Sequence, residues 1–168
     1  MLILVVENNM RQTIDNYFLD IVKVIGSRGT CDRGKAGCII VKDKQILSTG
    51  YVGSPKGSEH CDDIGHEFHT TITKENGEIR ETQHCIRTTH AEQNAICQAA
   101  KNGIAIKDST IYCTMVPCYT CAKMIINSGI IRVIAEYDYQ LSENTKNIFK
   151  SAKIDLIIIN NKTLNYGK

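Results

Sequence analysis

The stretch STIYCTMVPCYTCAKMIINSGIIRVIA, residues 109–135, decides the fold. It divides into three elements. Ser109–Met115 and Ile130–Ala135 are short, apolar and partly β-branched, as strands are. Between them Cys118–Asn127 has helix length and is closed by Gly129, with Pro117 just ahead of it. A strand, a helix of about ten residues and a second strand form a unit whose strands lie parallel, with the helix on one face.

The alternation continues on both sides. Ser142–Ala152 is a helix opened by Ser142, followed by a strand at Ile154–Ile159. Upstream, His90–Ala100 is a strong helix former that ends near Gly103. Ala36–Val41 and Gln45–Val52 read as two strands joined by a turn at Lys42-Asp43-Lys44. From Met10 to Ile25, residues Ile14, Phe18, Ile21, Val22 and Ile25 recur at steps of three and four, one apolar helical stripe. The expected architecture is α/β, a sheet with parallel neighbours and helices packed on its faces. No repeat or linker interrupts it, so 1–168 is expected to be a single domain, with a frayed polar tail at Asn160–Lys168.

One stretch resists this scheme. Gly53 to Thr89 is polar, holds four of the five histidines and shows no strong helix or strand period. It reads as a long loop insertion. Such a loop needs a cause, and a metal clip is one, because it offsets the closure entropy of the loop.

Composition narrows the function. Twenty basic and 18 acidic residues leave a formal charge of +2, and no basic stripe marks a nucleic-acid partner. Met1–Val6 is apolar, but Glu7 and two asparagines follow at once, with neither a positive leader nor a cleavage site. No apolar run approaches the ~18 residues of a membrane helix. The expectation is a cytoplasmic protein without membrane contact. There the eight cysteines are metal ligands or buried thiols rather than disulfides.

Two motifs carry chemistry. His90-Ala91-Glu92 starts one expected helix, and Pro117-Cys118-Tyr119-Thr120-Cys121 opens the next. Cys118 and Cys121 are three apart, so on a first helical turn both sulfurs reach one ion. Pro117 stands where a missing N–H costs nothing. With His90 they make one imidazole and two thiolates, which leaves a tetrahedral zinc an open fourth position, the mark of a catalytic site. Zinc brings the pKa of water towards ~7. Glu92, two residues from a ligand, reaches the open position without coordinating and is placed to carry protons. H-x-E followed by P-C-x-x-C is the recognised signature of zinc deaminases.

From about Ser27 to Ala135 the chain resembles the deoxycytidylate (dCMP) deaminases of the cytidine-deaminase-like superfamily. The resemblance includes Gly50-Tyr51-Val52-Gly53-Ser54-Pro55, Cys85-Ile86-Arg87-Thr88-Thr89, His90-Ala91-Glu92-Gln93-Asn94-Ala95-Ile96, Cys121-Ala122-Lys123 and Ser128-Gly129-Ile130. It implies a three-layer α/β/α fold on a mixed five-stranded sheet. It also implies hydrolysis of dCMP to dUMP and ammonia for pyrimidine nucleotide metabolism, a homo-oligomer (a hexamer in many relatives), and dCTP and dTTP as effectors. The family's loop asparagine is Val52 here, which cannot hydrogen-bond a sugar. Deamination of another cytosine nucleotide or nucleoside therefore stays open, as does a non-catalytic, DNA-uptake-associated role.

Tyr51, Val52 and Ala91 are the substrate-binding candidates by this resemblance. Arg28, Arg33, Lys35 and Arg87 are candidate cations for a phosphate. The resemblance further implies a second, structural zinc. Cys31 and Cys61 match two of its positions, His84 and Cys85 are the nearest remaining ligands, and His60, His66 or His69 are alternatives. Cys38, Cys97 and Cys113 fall among apolar neighbours and read as small buried hydrophobes.

Overall fold

The structure, a computed structural model, describes residues 11–75 and 78–164. Met1–Val6 and the last four residues lie outside them. The elements run α1 (Ile14–Ser27), β1 (Gly37–Lys42), β2 (Gln45–Tyr51), α2 (Cys61–Ile64), β3 (Phe68–Glu75), β4 (Glu78–Cys85), α3 (Ala91–Lys101), β5 (Thr110–Met115), α4 (Tyr119–Asn127), β6 (Arg132–Tyr139), α5 (Glu143–Ser151) and β7 (Asp155–Leu164). Five strands form a mixed sheet in the order β2-β1-β5-β6-β7. β1 is antiparallel to β2 and β5, and β5, β6 and β7 are parallel.

The alternation of β1 shows why helices cover both faces. Cys38 and Ile40 point into one core with Ala91, Ala95 and Ala99 of α3 and Ile125 of α4. Ile39 and Val41 point the other way, against Phe18, Leu19 and Val22 of α1. The β1–β2 connection is two residues, Asp43 and Lys44, both at positive φ (51° and 63°), the conformation that matches strand twist in a tight hairpin.

Two expectations are corrected. The stretch 53–89 is not a structureless loop. It holds the four-residue α2 and the β3–β4 hairpin, registered from Phe68↔Cys85 to Glu75↔Glu78. The tail is also more ordered than its polarity suggests. β7 continues to Leu164, pairing Thr163 with Asp138 and Leu164 with Tyr139 after a register shift.

The approach of β2 to α3 matters most for the site. A Cβ on Gly50 would lie 2.5 Å from the Ala95 nitrogen and closer still to the Ala91 carbonyl oxygen. Ser48 Oγ donates to the Ala95 carbonyl at 2.9 Å, and Asn94 Nδ2 to the Tyr51 carbonyl at 2.8 Å. These contacts clamp the first turn of α3 to the sheet. Gly50→Ala sets side chain against backbone, which no rotamer relieves, so it is expected to lower stability by about 3 kcal/mol in denaturant unfolding.

Candidate active site

β5 ends at Met115, and Val116-Pro117 carries the chain to α4, whose N-cap is Cys118. α3 begins beside it with His90 as its N-cap. The Gln93 side chain accepts the His90 backbone N–H at 2.9 Å, which fixes the turn. Two helix N-termini thereby converge, and their partial positive charge favours thiolate at Cys118 and Cys121.

His90 Nδ1 is 3.4 Å from Cys118 Sγ and 3.5 Å from Cys121 Sγ. A tetrahedral zinc with Zn–S of about 2.3 Å and Zn–N of about 2.0 Å needs N···S edges of about 3.5 Å, so the three donors fit the ion. Hydrogen bonding from Cys121, helped by His90, holds the Cys118 thiol down at about 4. Its hydrogen bond to Cys118 pushes His90 up to about 9, and Cys121 is raised by Cys118 and by burial. Glu92 is buried at 8% exposure, and that burial raises its carboxyl above the ordinary range.

A cavity opens over this cluster. His90, Glu92 and Cys118 line it, as do Val52 and Ala91 from the expected substrate group. Arg28 and Lys35 do not. Arg28 caps the C-terminus of α1, Lys35 lies just before β1, and both side chains face solvent. Tyr51 is likewise off the cavity wall and lends the site its backbone carbonyl through Asn94. The cation that does enter is Arg33, whose Nη1 is buried without a hydrogen-bond partner. Arg87 instead pairs with Glu67 at 3.6 Å.

His84, Thr88, Thr114, Tyr139 and Gln140 complete much of the wall. Of these the sequence had singled out only His84, and in a different role. Tyr139 ends β6 and Gln140 begins the turn after it, a junction clipped by Asp138, which accepts from Tyr139 N (2.8 Å), Ser142 Oγ (2.6 Å) and Lys146 Nζ (2.7 Å). Burial alone would raise Asp138, but the Lys146, Ser142 and Tyr139 hydrogen bonds hold it below its ordinary 3.8. A depressed folded-state pKa stabilises above the unfolded value and loses that effect as pH falls through the folded one. Asp138→Asn is therefore expected to lower Tm at neutral pH, and its gap to the parent should close as pH drops below 3.8.

A second donor cluster borders the same cavity: Cys31, Cys61, His66 and Cys85, their ligand atoms all within 4.8 Å of one another. Cys61 and Cys85 sulfurs are 3.5 Å apart, and Cys31 Sγ is 3.7 Å from His66 Nδ1. Three thiols and one imidazole are the donors of a closed structural zinc. Burial pushes Cys61 up to about 12. Cys85 comes down to about 7 against its own burial, through hydrogen bonds with the Glu67 backbone and His66.

The fourth member is His66, not His84. Neighbours on a strand face opposite ways, so with Cys85 in the cluster His84 turns off it. His84 feels the charge of His90 and Cys118 instead, and its pKa is lowered by burial and then by His90. His60 is taken by Thr30 Oγ1 at 3.0 Å, and His69 lies opposite His84 across the hairpin. Val52 packs against Cys31 and Cys61, which accounts for an apolar side chain at this position. Cys38 and Cys113 are buried as expected, whereas Cys97 is exposed.

Residues 12–137 match the cytidine and deoxycytidylate deaminase zinc-binding region. The chain belongs to this family. It is 31% identical to the deoxycytidylate deaminase of Saccharomyces cerevisiae over 86% of its own length, yet spans only 44% of the yeast protein. It is 35% identical to ComE operon protein 2 of Bacillus subtilis, over 83% of this chain and 68% of that one. Among solved structures, the dCMP deaminase of cyanophage S-TIM5 in complex with dCMP and dUMP aligns with a TM-score of 0.68 at 25% identity. That alignment covers 93% of this chain and 100% of the phage chain. The family's zinc suits the His90/Cys118/Cys121 donors as measured above.

Proposed function

We propose that the protein hydrolyses dCMP to dUMP and ammonia in the cavity beside His90, Cys118 and Cys121. The observation that carries the choice of a nucleotide is Arg33, a buried guanidinium nitrogen without a partner in the same cavity as Glu92. A buried donor left unpaired is costly, and a phosphate is the group that satisfies it best. The cyanophage relative holds dCMP and dUMP in the same fold.

Zinc held by His90, Cys118 and Cys121 supplies the charge that makes water nucleophilic at neutral pH. Everything else falls to the chain. Glu92, buried beside the donors, takes a proton from the attacking water and gives it to N3 of the cytosine ring. After the C4–oxygen bond forms, Glu92 passes the second water proton to the departing amine, so one water enters and one ammonia leaves. Arg33 orients the phosphate, and Val52 and Ala91 line the space between. Cys31, Cys61, His66 and Cys85 would hold a second, structural zinc.

Assay of ammonia release from dCMP, dCTP, CMP, cytidine and deoxycytidine tests this reading. dCMP should be the preferred substrate, and failure on all five would end it. Arg33→Ala is expected to cut kcat/KM for dCMP by about 10–100-fold, the loss of one charged hydrogen-bonding partner, while leaving deoxycytidine unchanged.

Self-association and dCTP or dTTP regulation belong to the same reading. The apolar side chains Phe68, Ile72 and Ile79, exposed on one face of the β3–β4 hairpin, support association. Eight free cysteines suit the reducing cytoplasm, and no helix among the described residues is long and apolar enough to cross a membrane. Light scattering tests the association, and dCMP turnover with and without the two nucleotides tests the regulation.

A further inference from the structure

Cys31-Asp32-Arg33 joins the second donor cluster to the substrate cavity within three consecutive residues. Cys31 is a member of the cluster. Asp32 Oδ1 receives His66 Nε2 at 2.9 Å, while His66 Nδ1 faces the sulfurs. A carboxylate on the outer nitrogen of a ligating histidine fixes its tautomer and ring orientation. Arg33 then enters the cavity.

Phe68, at the base of the hairpin, closes the circuit. Its ring lies 5.2 Å from the His66 ring, and the Arg33 guanidinium carbon sits 4.8 Å from its centroid. Arg33 Nη1, buried and without a hydrogen-bond partner, is thus held from one side by an aromatic face. Phe68 is opposite Cys85 in the hairpin register, so the ring is tied to the cluster through the strand pair as well.

We propose that the Cys31/Cys61/His66/Cys85 centre acts on substrate affinity as well as on folding: through Asp32 and Phe68 it sets the position of Arg33, and hence the affinity for the substrate's anionic end. Asp32 and Phe68 are positioning residues that touch no reacting atom. The inference rests on the nucleotide reading given above. It predicts a dependence on the ligand's phosphate that bracing of the fold alone would not produce.

Binding of dUMP and of deoxyuridine by calorimetry, with zinc content measured on the same samples, tests it without turnover. Phe68→Ala is expected to keep both zinc ions and to weaken dUMP binding about three- to tenfold, the range of a partly desolvated cation–π contact. Deoxyuridine should bind as to the parent. Phe68→Tyr, which keeps the ring, should restore dUMP affinity. Asp32→Asn should weaken zinc at the second site by about tenfold or more, and dUMP affinity should fall as that zinc is lost.

Kinetics should divide the same way, with KM for dCMP rising and kcat nearly constant. Parent-like dUMP affinity in both Phe68→Ala and Asp32→Asn, the latter depleted of the second zinc, overturns the coupling while leaving the nucleotide reading intact. A parent that binds dUMP no better than deoxyuridine overturns the nucleotide reading, and the coupling falls with it.

Discussion

Glu92→Gln is expected to cut dCMP turnover by about 10²–10⁴-fold, the usual contribution of a positioned proton carrier, while zinc content stays at the parent level. Glutamine keeps the volume of a side chain that is only 8% exposed, so the cavity and its walls are preserved. What it lacks is a site that can accept and return a proton. In the proposed reading this role is separate from coordination: the donor cluster that would hold the ion is His90, Cys118 and Cys121, and Glu92 is not part of it. Metal analysis beside the assay checks this assignment. Loss of zinc together with activity would make Glu92 a ligand, and near-parent turnover would remove it from the chemistry.

Cys118→Ser should act through the metal itself. Its thiol is held down at about 4, the most acidic of the three donors, and serine offers no thiolate in its place. Activity is expected to fall below detection. Zinc should drop from two ions per chain to one, since the second cluster shares no ligand with the first. A dialysed sample measured for metal and for ammonia release distinguishes this from a folding defect, because circular dichroism should stay near that of the parent. Zinc retained at two per chain would contradict the ligand assignment.

Much of this was legible in the residues because the sheet and its helices follow their own periods. Phe18 and Val22 are buried four apart on α1, and each strand of the five-stranded sheet overlaps the run read as a strand, although β6 and β7 continue past Ala135 and Ile159 to Tyr139 and Leu164. The same spacing held the answer for Cys97. Ala91, Ala95 and Ala99 face the core from α3, and a residue two beyond Ala95 points to the opposite side, into solvent.

The β3–β4 hairpin was not legible from hydrophobicity. Its strands, FHTTITKE and EIRETQHC, alternate threonine, histidine and charge, and the apolar residues they do carry, Phe68, Ile72 and Ile79, are exposed. The available signal was Asn76-Gly77, a strong tight-turn pair between runs of strand-forming residues. Recognising it would also have parted His84 from Cys85, because adjacent strand residues face opposite ways. His66 could not have been chosen over His60 or His69 by spacing, since it reaches the sulfurs through the folding of the chain between α2 and β3. Arg33 rather than Arg28 or Lys35 enters the cavity for a similar reason: the course of the chain between α1 and β1 decides which cation points inward.

The central claim is that this cavity adds water to a cytosine nucleotide and expels its amine. Incubating the zinc-loaded protein with dCMP in heavy-oxygen water and weighing the product by mass spectrometry tests it directly. The account predicts dUMP carrying the heavy oxygen on its base, with ammonia released in equal amount. Unchanged dCMP, or dUMP without the label, would contradict it.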